Sequence, residues 1–466
     1  MFEEDDEING GVEKDLNRFN VMYDRGEYGY FDSDRIEALI DHLIITNQLE
    51  KAKWASEKAI NQFPFNSIFE LRFAQILSLE GKIKEAYEIF KRIEKSEPDN
   101  RNVDLFLSLA STYSQMQDSR RAISYFYKAL ELANFDEKPD IYVDIAVEFS
   151  QNNELEKAII ILEQAIESYL DNESILYELV YCYEQKGYFQ KAIDCFKKYI
   201  DENPYSYTAW YNLGNSYLKI SSFEKALEAY DYCIVINEKY VPAYFNTANT
   251  YVELGKYERA IEFYQKCIGF DGDESITFCS IGECYEELGQ FNEALLYYNK
   301  SIELIPHFAD AWLGKGVVLE ALGNFEESLF AIEKAIELDN SQPSYFHIYA
   351  NFLDKLEAIN DARLNFEKAI ALSKEEDENL IIDYLNFISN NFREELFHII
   401  EIDNYLRESE SVNLFLINEF WNQNKFEEAL KILDQMLVKD SNKAKNLLLH
   451  FEDLTEHEQI RKRLQS

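Results

Sequence analysis

The chain has 466 residues, with 46 Lys and Arg against 87 Asp and Glu, a formal net charge of −41 and a hydrophobic fraction of 47%. That much apolar material excludes a disordered acidic chain, and the deficit of cations excludes a binder of nucleic-acid phosphates. Only 15 Gly and 7 Pro are present, well below the roughly 12% that these two types average, so long flexible linkers are excluded as well.

Residues 1–32 read as an acidic tail followed by a capping helix. MFEEDDEING lacks the positive flank and apolar stretch of a secretory signal. No run of 18 apolar residues follows anywhere, so the chain is expected to be soluble and cytoplasmic, with no membrane partner. About ten residues of this tail are expected to stay disordered. Val12, Leu16, Phe19 and Tyr23 then form a stripe suited to covering whatever comes next.

From Ser33 the chain repeats itself. A small residue ahead of an apolar helix recurs at Ala52, Ala86, Ala122, Ala158, Ala192, Ala226, Ala260, Ala294, Ser328 and Ala362, with spacings of 34 or 36 residues. Such a period is the mark of a stacked architecture. Each unit reads as two amphipathic helices. Between Tyr207 and Tyr240, Trp210, Leu213, Gly214 and Tyr217 share one helical face, as do Phe223, Ala226, Leu227, Tyr230 and Cys233. The turn between the two helices carries Gly81, Gly187, Gly255, Gly289 or Gly323 in five units, and Asn47, Asn153 or Asn424 in three more. These are the residue types that best tolerate positive φ. All seven prolines fall at junctions: Pro64, Pro98, Pro204 and Pro306 after a second helix, Pro139, Pro242 and Pro343 at the start of a first one.

The 34-residue unit, with Trp210, Leu213, Gly214 and Tyr217 in its first helix and Ala226 and Tyr230 in its second, resembles the tetratricopeptide repeat family. Twelve units are read, starting at Ser33, Ser67, Val103, Pro139, Glu173, Tyr207, Val241, Ser275, Ala309, Pro343, Asp377 and Glu410, over residues 33–443. The eleventh, 377–409, is degenerate, with Leu396 where Ala is expected. Residues 444–466 are read as capping helices bearing Leu447, Leu448, Phe451, Leu454 and Ile460. The fold class expected is all-α, an alpha-alpha superhelix of tandem antiparallel helix pairs.

The resemblance implies that positions 2, 5, 9, 12 and 13 of each unit line a concave groove. Over ten units these positions hold thirteen acids and two bases, Lys219 and Lys355, against 87 to 46 for the chain. An acidic concave wall favours a cationic partner. The groove residues singled out are Tyr177, Tyr181, Tyr211, Asn212, Asn215, Phe245, Asn246, Asn249, Glu253, Glu283, Glu286 and Asp310. Tyr supplies rigid area and Asn amides pair with peptide backbone; helix-to-helix bonding by the same Asn residues stays open. The carboxylate clamp of the family needs cations where Tyr211 and Phe245 stand, which argues against an acidic peptide tail.

The reading is a non-enzymatic scaffold or adaptor that takes a basic or extended segment of a partner protein, with no cofactor and no metal. None of the phosphate-binding, zinc or nucleophile-elbow motifs occurs. One alternative is self-association through the groove or the degenerate eleventh unit, with Phe387, Phe392, Phe397 and Trp421 as candidate contacts. A more distant one is a hydrolase or cation site built on Glu283, Glu286, Glu287 and Glu320. The six cysteines, Cys182, Cys195, Cys233, Cys267, Cys279 and Cys284, are read as buried core residues rather than disulfides.

Overall fold

Amphipathic segments this short gain stability by packing against a neighbour, and the chain arranges them in consecutive pairs. The computed structural model describes residues 2–96, 102–270, 274–373, 377–402, 409–439 and 460. Helix α1 (Phe2–Arg25) comes first, followed by α2 (Ser33–Ile45) with α3 (Leu49–Gln62), α4 (Ser67–Leu79) with α5 (Ile83–Ser96), and α6 (Val103–Gln115) with α7 (Ser119–Leu132). Then come α8 (Lys138–Gln151) and α9 (Leu155–Ser168), α10 (Glu173–Gln185) and α11 (Phe189–Glu202), and α12 (Tyr207–Lys219) and α13 (Phe223–Ile236). The series continues with α14 (Val241–Glu253) and α15 (Tyr257–Gln265), α16 (Glu274–Glu287) and α17 (Phe291–Leu304), α18 (Ala309–Ala321) and α19 (Phe325–Leu338), and α20 (Pro343–Lys355) and α21 (Ile359–Ser373). It closes with α22 (Glu378–Asn391) and α23 (Leu396–Ile402), and α24 (Glu410–Asn422) and α25 (Phe426–Lys439). The all-α class holds, with helices the sole regular structure among the described residues.

Two compact units emerge, Met1–Asn237 and Glu238–Ser466, each built of repeats that touch their neighbours. In the first unit the first helices of successive pairs pack on one another, α2 on α4, α4 on α6 and α8 on α10. In the second unit α16 packs on α18 and α20 on α22 in the same way. First helices therefore line the inner face of each unit and second helices the outer face.

The small residue of every second helix from Ala52 to Ala362 is fully buried, where two helices approach most closely. In the eleventh pair Leu396 fills that place and is equally buried. Opposite, Gly214 has no room for a side chain: a Cβ there would sit 2.4 Å from the Tyr230 ring. The backbone of α1 is helical from Phe2 onward, so the tail expected to be disordered continues the helix. Phe19 is fully buried against Ile36, Leu39 and Ile40, with Leu16 and Tyr23 beside it. Val12 as a side chain, and the C-terminal cap apart from the buried Ile460, lie outside the described residues.

Five of the six cysteines are buried and Cys195 is half-buried, all as free thiols. Junctions are tied by a recurring bond. The Trp210 indole N–H donates to the Pro204 carbonyl at 2.9 Å, and Trp312 does the same to Pro306 at 2.9 Å. Among the described residues no helix is long and apolar enough to cross a membrane.

Candidate functional site

The inner face is built from first helices, so its chemistry follows from what their second and third stripes carry. In the first unit Tyr177 and Tyr181 stand on α10, and Tyr211, Asn212 and Asn215 on α12. Tyr181 is 50% exposed and points away from the core. Tyr177 leans on Phe196 of its own pair at 6.1 Å, and Tyr211 on Tyr230 at 5.9 Å. Asn212 donates to the Thr208 carbonyl at 2.9 Å, one turn back in the same helix. The Asn215 carbonyl oxygen accepts the Tyr230 hydroxyl at 2.7 Å.

The second unit repeats this arrangement. Phe245 packs edge-on against Tyr264 at 5.2 Å, and Asn249 accepts the Tyr264 hydroxyl at 2.5 Å. Asn246 is half-buried on the same helix and Glu253 is exposed at its end. Asn215 and Asn249 thus bond helix to helix, one of the two roles the sequence left open. The same reasoning bears on Tyr181: in its pair the place of Tyr230 is taken by Phe196, which has no hydroxyl to be satisfied, and Tyr181 at the ninth position stands at the surface.

The acids fare unevenly. Glu37, Asp41 and Asp104 converge on Arg72 at 3.5, 2.7 and 2.8 Å, and Arg72 is only 13% exposed. Arg72 occupies the sixth position of its unit, which the groove pattern did not include, so one cation partly offsets these three acids. Even so, burial raises Glu37 and Asp41 above the usual carboxylate range, against the pull of Arg72. In the second unit Glu286 accepts the Tyr298 hydroxyl at 2.7 Å, Asp310 accepts Tyr345 at 2.5 Å, and Glu320 pairs with Lys355 at 2.6 Å. Glu283 keeps an accessible carboxylate within a concavity, where the surrounding protein raises its pKa, with Asp310 adding to the effect. Glu287 meets the Tyr257 hydroxyl at 3.3 Å. Among the described residues no three His, Cys, Asp or Glu side chains gather where they could hold a metal ion.

A hollow of about 510 Å³ opens on the inner face of the first unit, a place that no motif marked. It is lined by Gln75, Ser78, Ser108, Ser111, Ser114, Gln115 and Gln151, by Asp144 and Glu148, and by the apolar Ile44, Leu79, Phe90, Leu107, Phe126 and Val147. Gln75 donates to the Ser108 hydroxyl at 2.9 Å. Asp144 is pushed up to about 6 by burial, with Asp140 adding like-charge repulsion. The wall therefore mixes hydrogen-bonding and apolar side chains with two carboxylates, one of them raised in pKa. Its signal in the sequence is the run of Ser and Gln at inner positions of three successive pairs.

Tetratricopeptide repeat models match residues 207–240 and 275–308, residues 103–136, 241–274 and 309–342, and residues 143–207, just over half of the chain. The chain belongs to the tetratricopeptide repeat family. In this family the stacked helix pairs form an interaction scaffold, and the inner face described above is its shared surface. A PPR repeat model matches residues 415–441, across the last tetratricopeptide-like pair, α24 and α25. No curated protein matches the chain.

Among solved structures the chain is similar to the Cut9–Hcn1 hetero-tetramer of the APC/C, at 14% identity over 86% of this chain and 97% of that one, with a TM-score of 0.41. It is also similar to the C-terminal part of a repeat protein from Cytophaga hutchinsonii, at 16% identity over 51% and 98%, TM-score 0.41. YrrB, described as having an unusual peptide-binding site, aligns at 24% identity over 39% and 93%, TM-score 0.31. At these scores the likeness carries nothing about function for this chain.

The aromatics singled out for self-association lie in the eleventh and twelfth pairs of this tetratricopeptide repeat protein. Phe387 is buried against Phe366 at 5.1 Å, and Trp421 packs on Phe426 at 4.9 Å. Phe397 stacks on Phe420 at 5.1 Å and Phe392 lies against Phe387 at 5.9 Å. Phe387 and Trp421 are core, while Phe392 and Phe397 are half-buried against it.

Proposed function

We propose that this protein is a non-catalytic scaffold that captures an extended, Lys- or Arg-bearing segment of another protein on its inner faces. The observation that carries the reading is the Ser- and Gln-lined hollow with Asp144 at its wall. Hydroxyls and amides satisfy peptide N–H and C=O groups without selecting sequence. Asp144, raised to about 6, is still mostly ionised at neutral pH and gains a counterion when a basic side chain enters. Tyr181 and Tyr211 in the first unit, and Phe245, Glu253 and Glu283 in the second, offer further aromatic and acidic contacts on their own inner faces. Asn215 and Asn249 are already committed to Tyr230 and Tyr264.

The test is a titration of the full chain with fluorescein-labelled extended peptides, Lys-rich and Glu-rich, at two salt concentrations. The Lys-rich peptide is expected to bind more tightly and to weaken as salt rises, because screening shortens the reach of exposed charges. Asp144→Asn with Tyr181→Ala is expected to weaken it about tenfold or more. Equal affinity for both peptides, or an unchanged double variant, rejects the reading.

A further inference from the structure

The outer face carries a feature that the inner-face reading does not use. Two residues after the small anchor of each second helix, the side chain points outward. Along the chain this register holds Trp54, Glu88, Ser124, Ile160, Asp194, Glu228, Glu262, Leu296, Phe330 and Leu364. Single exposed apolar residues such as Ile160 need no explanation. Three in consecutive pairs of the second unit do: Leu296 is 53% exposed, Phe330 62% and Leu364 64%. Phe330 is also held in place, its ring meeting Trp312 edge-on at 6.0 Å, while the Trp312 indole is fixed to Pro306.

The first pair shows what covers an aromatic at this register. Trp54 is enclosed by Phe19 and Tyr23 of α1 at 5.6 and 5.4 Å and by Tyr28 at 5.7 Å. An amphipathic helix is thus the cover the fold itself uses. We propose that the outer face of α17, α19 and α21 docks an amphipathic helix of another protein, with an apolar residue at every seventh position and Lys or Arg beside it.

Spacing and charge both select this occupant. First helices of successive pairs pack directly, which sets the step of the stack on the order of 10 Å, and seven residues of α-helix rise about 10.5 Å. A helix laid across the three therefore meets Leu296, Phe330 and Leu364 with one stripe, which drifts only about 20° per heptad. Around the row stand the exposed acids Glu293, Glu326, Glu333, Asp361 and Glu367. The nearby lysines are engaged: Lys300 over Tyr297 at 4.4 Å, Lys368 over Phe346 at 4.1 Å, and Lys334 with Glu337 at 2.8 Å. A second copy of this chain would bring the same acids face to face, so the charge favours a basic partner.

The experiment uses the full chain and a labelled synthetic helix of about 21 residues with Leu at every seventh position and Lys flanking it, alongside a counterpart with Glu flanks. Fluorescence anisotropy is expected to show saturable binding of the Lys helix only. Phe330→Glu is expected to weaken it about tenfold or more, with the melting temperature unchanged because the residue is at the surface. Binding through charge alone would instead tighten, since the variant adds an acid. Equal or tighter binding by Phe330→Glu, equal binding of the Glu-flanked helix, or no binding of the Lys helix overturns the proposal. So does a wild-type dimer in light scattering that Phe330→Glu dissolves, because the occupant would then be a second copy.

Discussion

Tyr230 is fully buried, and its hydroxyl reaches Asn215 at 2.7 Å. Removing the acceptor leaves a buried donor without its bond, which costs more than the bond contributed. Asn215→Ala is therefore expected to lower stability by about 1–3 kcal/mol in urea unfolding. Adding Tyr230→Phe to that variant should recover most of the loss; if it does not, the pair is not what holds the position. Arg72 poses the complementary case, one guanidinium serving three carboxylates. Arg72→Met is expected to destabilise by about 2–3 kcal/mol at neutral pH, less than for a fully buried pair because the acids remain partly wet. Glu37 and Asp41 are held above their ordinary range. Groups so raised favour folding at pH below their unfolded values and lose that contribution as pH climbs through the folded ones. The penalty of Arg72→Met should accordingly shrink toward pH 4, as thermal melts across pH would show. The Arg72 network escaped the sequence reading and the Asn215 bond stayed open in it, because they join residues about 31–35 and about 15 positions apart, and periodicity gives a side chain's face but not its partner.

At the scale of the helix pair, the turn and the close approach fix the geometry. The backbone takes positive φ at Asn47, Gly81, Gln117, Asn153, Gly187, Ser221, Gly255, Gly289, Gly323, Glu357 and Asn424, the same place in each hairpin. Gly and Asn announced eight of these; Gln117, Ser221 and Glu357 carry no such signal and are held there by the packing of their helices. For Glu357 the left-handed conformation is strained. Glu357→Gly is expected to raise stability by about 0.5–1 kcal/mol, the relief exceeding the entropy that Gly adds to the unfolded chain. An unchanged denaturation midpoint would mean the strain is absorbed locally. Gly214 lies at the opposite limit. Gly214→Ala drives a methyl into the Tyr230 ring, and overpacking of this kind costs about 1–3 kcal/mol, readable by the same unfolding experiment.

At the scale of the molecule, a net charge of −41 means that folding concentrates like charges, and self-repulsion opposes the folded state. Raising salt from about 10 mM to about 150 mM shortens the Debye length from about 30 Å to about 8 Å. The melting temperature is expected to rise across that range; a flat or falling profile would show that local ion pairs such as Arg72 with its acids outweigh the global field. The same charge shapes both proposed surfaces, since inner hollow and outer row are each suited to a basic segment.

What the sequence determined by itself is everything that depends on one helix at a time or on a fixed repeat: the class, the period, the buried anchors from Ala52 to Ala362, and the prolines that open first helices. Those follow from local backbone preference and from the alternation of apolar faces. The tertiary structure alone decided which polar side chains are spent. Asn215, Asn249, Glu286 and Asp310 carry the residue types of a binding face, yet each accepts a hydroxyl from another helix. Leu296, Phe330 and Leu364 carry the residue type of a core, yet stand in solvent. A hydrogen bond or a buried contact requires two surfaces to meet, and which surfaces meet is a property of the stacked repeats, not of any one of them.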